Sequence, residues 1–179
     1  MNVLALVNDS DLRISDRVWA WRPPRFFRAW MLWASRLGDG WLWAGIGLVL
    51  LAAGGPGRRV LAGGALAAFA SNALLLPLKR RFRRRRPCES GLHPLYDVRP
   101  LARFAADRYS FPSGHALNAF AIATVVGLGL PGLSPLLLVL AASVAASRVL
   151  CGLHYVSDVL VGALVGAGIG TAVFVLVLR

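Results

Sequence analysis

Long apolar runs separated by short polar joints occupy most of this chain, a pattern that an ordinary soluble core of this size does not need. Five runs stand out, at 41–53, 60–78, 112–130, 136–150 and 155–178. They approach the ~20 residues that an α-helix needs to cross a bilayer, the first being the shortest. Turn signals part them: "GGPGRR" at 54–59 and "PGLSP" at 131–135. Ahead of the runs, Trp19, Trp21, Trp30 and Trp33 are interleaved with Arg13, Arg17, Arg22, Arg25, Arg28 and Arg36. Aromatic rings lie at headgroup level and guanidinium groups snorkel, so this segment suits a membrane interface. "RPP" at 22–24 predicts a break between two short amphipathic helices. The expected fold is all-α: a polytopic transmembrane bundle of about five spans over 39–179, preceded by an interfacial amphipathic segment over 1–38. Gly162, Gly166 and Gly170 recur every fourth residue in the last run, a spacing that lets another helix approach closely.

Composition agrees and adds a question. The 179 residues are 57% hydrophobic, with mean hydropathy +0.62. Yet the net charge is +12, with 20 Lys and Arg confined to the little polar sequence that remains. So dense a positive charge expects an anionic partner. Nucleic acid is a poor candidate, because the main basic stretch, 79–110, is tied to an apolar run at each end. Anionic lipid headgroups or a phosphate-bearing substrate fit better. The start, "MNVLALVNDSDL", is not a secretory signal: its apolar part is short, no positive charge precedes it, and acids follow. Cys88 and Cys151 fit no zinc pattern; they are two separate thiols, or a pair if their side of the membrane is oxidising.

Counting crossings, the polar stretch after the second run and the joint at 147–154 after the fourth fall on one side of the membrane. Three clusters meet there. "KRRFRRRRP" carries Lys79 and Arg86; "FPSGH" carries Ser113, Gly114 and His115; "SRVLCGLHYVSDVL" carries Arg148, His154 and Asp158. Lys79, Arg86 and Arg148 can surround a tetrahedral dianion, Arg with forked hydrogen bonds. "PSGH" entering a helix offers backbone N–H groups, with Ser113 as N-cap or direct phosphate donor and Gly114 permitting close approach. His154 and Asp158 are four residues apart, neighbours if they share a helix. A carboxylate on one imidazole nitrogen leaves the other free to attack. His115, from another helix, can then protonate the leaving oxygen and activate water. The chemistry that suits these parts is phosphoryl transfer through a phosphohistidine, with no metal and no cofactor.

The pattern K-x6-RP, PSGH, SR-x5-H-x3-D resembles the signature of the type 2 phosphatidic acid phosphatase (PAP2) superfamily, over roughly residues 60–175. The resemblance implies His154 as nucleophile, Asp158 as its partner, His115 as general acid, and Lys79, Arg86, Ser113, Gly114 and Arg148 as phosphate-binding residues, again with no metal. It points to an integral-membrane lipid phosphatase, with undecaprenyl diphosphate, phosphatidic acid and phosphatidylglycerol phosphate as candidate substrates. A phosphotransferase with an acceptor other than water, or a non-catalytic lipid-binding protein, are the alternatives. Bacterial relatives commonly place this site on the outer face of the inner membrane. The positive-inside rule points the other way, since seventeen of the 20 basic residues lie on the site's side. Several residues keep plainer readings. Arg80, Arg81, Arg83, Arg84 and Arg85 are surface charges for anionic lipid or substrate attraction, Asp39 in "GDG" caps a helix, His93 is structural, and Gly152 turns the chain.

Overall fold

A helix that is apolar on every side has to be surrounded by others, and Gly114–Gly129 is such a helix, burying Ala116, Leu117, Ala119, Ala121, Ala123, Val125 and Val126. The computed structural model describes residues 3–21, 23–89 and 109–179. Within them the chain forms α1 (Val3–Ala20), α2 (Arg25–Leu37), α3 (Trp41–Ala52), α4 (Gly55–Phe82), α5 (Gly114–Gly129), α6 (Ser134–Leu150) and α7 (Val156–Val173), and no strand. The central α5 packs most extensively on α7, then on α4 and α6. Leu50, Val60, Ala119, Ala123, Val126, Leu137, Ala141 and Val144 form one core shared by α3, α4, α5 and α6.

The five apolar runs are thus five helices. Three segments, Gly55–Phe82, Pro131–Leu150 and Val156–Leu178, are long and apolar enough to cross a membrane, and Trp41–Ala52 and Gly114–Gly129 are shorter apolar helices. Leu48, Phe69, Leu164 and Leu176 point outward, as side chains facing lipid do. This is the architecture of a helical membrane protein. The helix α4 runs further than the apolar run that predicts it, through Pro77 and on to Phe82, so Lys79 lies in its last turn. Arg83 then adopts the left-handed conformation (φ 49°) more usual for a C-terminal glycine, and the chain breaks from the helix axis.

The glycine spacing in α7 does what its pattern predicts. A Cβ at Gly162 would lie 2.6 Å from the Ser113 carbonyl oxygen, and one at Gly170 would lie 2.5 Å from that of Ala121. At Gly166 the Leu117 carbonyl is closer still. The backbones of α5 and α7 touch along this seam, with no side chain between them.

The break at 22–24 also appears, separating α1 from α2. The helix α2 buries Met31, Ala34 and Ser35, with α6 as its main neighbour. The inner stripe of α1 is Asp11, Ser15 and Val18, spaced i, i+4, i+7, with Asp11 and Ser15 buried and Val18 against Ala116, Ala145, Val149 and Val159. Both N-terminal helices therefore pack on the bundle.

A methyl group at the seam has nowhere to go. Gly166→Ala is expected to lower stability by about 1–3 kcal/mol, read as a lower unfolding midpoint in detergent. Gly168→Ala, where a Cβ meets nothing within 4 Å, is expected to hold or raise that midpoint.

Candidate active site

The site is organised by a turn, 151–155, between α6 and α7. Gly152 reverses the chain with φ 67°. The Arg148 carbonyl accepts the N–H groups of Leu153 at 3.0 Å and His154 at 3.1 Å. Residues after α4 are stapled onto the same turn: Cys88 N–H donates to the Gly152 carbonyl at 3.1 Å and Arg86 Nη1 to the Leu153 carbonyl at 3.2 Å. His154 does not share a helix with Asp158, as its spacing suggested. It lies in the turn, because Tyr155 is extended and α7 begins at Val156. What holds that helix start is Asp158 itself, whose Oδ2 accepts the Tyr155 N–H at 2.9 Å.

The two side chains still meet. His154 Nδ1 lies 3.6 Å from Asp158 Oδ2, outside hydrogen-bond range, and has no other partner among the described residues. His154 is 1% exposed. Burial, seconded by the charges of Arg86 and Arg148, pushes its pKa down to about 3, although Asp158 pulls the other way. The imidazole is therefore neutral at ordinary pH, the state a nucleophilic histidine needs.

The cations predicted to gather do so, and they are buried: Lys79 and Arg148 are 4% exposed and Arg86 5%. Lys79 Nζ donates to the Tyr109 carbonyl at 3.0 Å. Arg148 Nη1 donates to Ser35 Oγ at 2.8 Å, while its buried Nε has no partner among the described residues. Ser113 is the N-cap of α5, its Oγ accepting from Ala116 N–H at 3.5 Å. Its own N–H donates to the Asp158 carbonyl at 3.0 Å, joining the second cluster to the third. At Gly114 a Cβ would come within 2.7 Å of Leu75, so the glycine allows the tight entry to α5. His115 Nε2 and Asp39 Oδ1 are 2.7 Å apart. Asp39 is thus no helix cap: Gly40 holds the cap position of α3 with no side-chain bond. The hydrogen bond to His115 holds the Asp39 carboxyl below the usual carboxylate range.

Arg84, read from sequence as a surface charge, is the largest correction. Its Nη1 reaches Asp158 Oδ1 at 2.7 Å and Ser157 Oγ at 2.8 Å. Its Nη2 reaches Asp11 Oδ2 at 2.7 Å and Asn8 Oδ1 at 2.9 Å. The guanidinium lies 4.1 Å above the Tyr155 ring. Asp11, which sequence reasoning did not select, is 3% exposed. It accepts the Ser157 N–H at 3.0 Å and a short bond from the Ser157 hydroxyl. The departure of the chain at Arg83 is what turns Arg84 inward, whereas Arg80, Arg81, Arg83 and Arg85 stay exposed as expected. A buried acid on the inner stripe of α1 was the one available signal for Asp11; in a run of arginines nothing marked Arg84. No disulfide is formed among the described residues, so Cys88 and Cys151 are not joined. His93 lies outside the described residues.

At one end of the helical bundle a buried histidine thus stands beside a carboxylate, within the electrostatic reach of buried cations. The chain belongs to the PAP2 superfamily, whose model matches residues 58–179. Over 116 residues it is 39% identical to the decaprenylphosphoryl-5-phosphoribose phosphatase of Mycobacterium tuberculosis. That match takes in 65% of this chain and 60% of the relative's length. The crystal structure of LpxE from Aquifex aeolicus is similar with a TM-score of 0.75 and 25% identity, over 91% of this chain and 93% of that one. The first transmembrane PAP2 type phosphatidylglycerolphosphate phosphatase from Bacillus subtilis is similar with a TM-score of 0.70 and 26% identity, over 97% of this chain and 85% of that one.

Removing Arg84 strands two buried carboxylates, Asp11 and Asp158. Arg84→Gln is expected to cost about 3–5 kcal/mol of stability, measured by unfolding in detergent. Arg81→Gln, at an exposed position, is expected to leave the transition in place.

Proposed function

We propose that this protein is a metal-independent lipid phosphatase of the membrane, working through a phosphohistidine on His154. The observation that carries the reading is the buried, neutral His154 set beside Asp158 and among Lys79, Arg86 and Arg148. A phosphate dianion matches the donors of these three buried cations. On binding, His154 turns Nδ1 to Asp158 and presents Nε2 to phosphorus. The N–P bond forms as the bond from phosphorus to the lipid oxygen breaks, and His115 gives that oxygen its proton. Water then attacks the phosphohistidine with His115 now taking a proton, and inorganic phosphate leaves. Lys79, Arg86, Arg148, the Ser113 hydroxyl and the Gly114 N–H hold the phosphoryl oxygens through both steps. Asp39, bonded to His115 Nε2, keeps that imidazole oriented.

The substrate is a phosphomonoester or diphosphate of a lipid. Undecaprenyl diphosphate, phosphatidic acid and phosphatidylglycerol phosphate are candidates, and the mycobacterial relative adds a polyprenyl phosphosugar phosphate. We take all five apolar helices as spans, α1 and α2 as interfacial, and the site as opening on the outer face of a bacterial inner membrane.

Purified protein is expected to release phosphate from at least one of these lipids in the presence of chelator. His154→Ala is expected to abolish release together with an acid-labile phosphoenzyme, and His115→Ala to slow it by about 10²–10⁴-fold. Absence of release from every lipid would sink the reading, and loss with chelator alone would overturn metal independence. Sidedness is checked by an impermeant maleimide on Arg85→Cys in spheroplasts. Labelling above that of the parent chain supports the outer face; protection puts the site in the cytoplasm, as the positive charge predicts.

A further inference from the structure

Below the phosphate-binding end, the helices carry one polar pair that the proposed reaction leaves unused. Asn72 on α4 and Asn118 on α5 exchange amide hydrogen bonds. Asn118 Nδ2 donates to Asn72 Oδ1 at 3.0 Å, and Asn72 Nδ2 donates to Asn118 Oδ1 at 3.4 Å. Each nitrogen also donates to its own helix, Asn118 to the Gly114 carbonyl at 3.1 Å and Asn72 to the Ala68 carbonyl at 2.9 Å. A carbonyl accepts only from the nitrogen, which settles how each amide is turned. All four amide hydrogens are therefore engaged. Each oxygen accepts one bond and keeps a lone pair. The pair is not sealed in the interior: Asn72 is exposed and Asn118 half-buried. Amides open to hydrocarbon are costly in a span, so their presence there asks for a purpose.

Their place along the helices supplies one. Asn118 is three residues, ~4.5 Å of helix, beyond His115. One further turn along α5, Ile122 and Val126 line an apolar groove of about 180 Å³. Trp43, Ile46 and Gly47 of α3 and Leu61, Gly64 and Ala68 of α4 are among the residues of its other walls. Asn72 is one turn from Ala68 on one side, and two turns from Lys79 on the other. The order from the site into the bundle is then phosphate cations and His115, the amide pair, and the groove.

We propose that Asn72 and Asn118 form a subsite for hydroxyl groups on the carbon skeleton that joins the scissile phosphate to the hydrocarbon, with the hydrocarbon in the α3–α4 groove. The proposal rests on the phosphatase reading above and names the substrate class within it. With its hydrogens engaged and its oxygens open, the pair accepts hydrogen bonds and has none to give. A glycerol or pentose linker bearing free hydroxyls has donors to offer. The linker of phosphatidic acid is fully esterified and a polyprenyl diphosphate carries no hydroxyl, so neither satisfies the open oxygens. The favoured substrate is a phosphomonoester on a polyol linker that is itself attached to the lipid.

The test compares kcat/KM of the purified full-length protein for phosphatidylglycerol phosphate and phosphatidic acid of matched acyl chains. A phosphopentose on a polyprenyl phosphate is the third arm and separates pentose from glycerol linkers. Wild type is expected to favour a hydroxylated lipid by about tenfold, the worth of one or two hydrogen bonds. The double variant Asn72→Leu with Asn118→Leu removes both amides together and leaves no orphaned partner, and is expected to bring the ratio close to one. A ratio that survives in the double variant, including equal loss on both lipids from a mere helix-packing role, overturns the subsite. So does a wild-type preference for phosphatidic acid. Failure of wild type on all three lipids falls on the phosphatase reading instead.

Discussion

Two helices in this protein touch through their backbones, and the geometry around Ser113 and His154 depends on that contact. Gly162 has no Cβ to hold α7 away from the Ser113 carbonyl, and Ser113 N–H donates to the carbonyl of Asp158, one turn earlier on α7. The seam therefore sets how far the N-terminus of α5 stands from the histidine–carboxylate pair. Any swelling of the seam moves the PSGH segment and the His154 turn apart together. Because α5 packs against α4, α6 and α7, it has little freedom to shift and restore the fit.

The second constraint is electrostatic. Burying cations and carboxylates is expensive, and at Asp158 and Arg84 the protein offsets it by making one group serve several neighbours. Asp158 starts α7 through Tyr155 N–H, receives Arg84, and stands by His154. Arg84 binds Asp158 and Asp11 at once. The atoms left over are Arg148 Nε and His154 Nδ1, buried without partners among the described residues. In the proposed reaction substrate meets Arg148 Nε, and His154 Nδ1 closes on Asp158 as Nε2 meets phosphorus, so binding completes the network.

How much of this was legible in the sequence follows from which physical signals are one-dimensional. Apolar runs and the breaks at 22–24 and 54–59 are local, and the helices appear where the runs predict, with α4 longer at both ends. The three clusters were legible because their residue types and spacings are unusual in a greasy chain. What failed was path. His154 and Asp158 look like helix neighbours until Asp158 uses its carboxylate to begin the helix after Tyr155. Arg84 is chemically identical to the arginines around it, and only the left-handed step at Arg83 sends it inward. Asp39 reads as a cap from "GDG" alone, and becomes a partner of His115 only once the α2–α3 turn is folded onto the start of α5.

The bond between Asp11 and Ser157 spans 146 residues, and that separation says something about biosynthesis. Chains emerge from the ribosome N-terminus first, so α1 is made at the outset while the surface it docks on, formed by Ser157, Asp158 and Arg84, is completed only with α7. Until α7 is made, Asp11 can reach Arg84 but lacks Ser157. The docking of α1 is therefore a closing step in maturation, and the carboxylate beside His154 acquires its full set of contacts only after every helix is in place. A chain interrupted before α7 carries the cations of the site and His154, and lacks the Asp158 carboxylate that stands beside it.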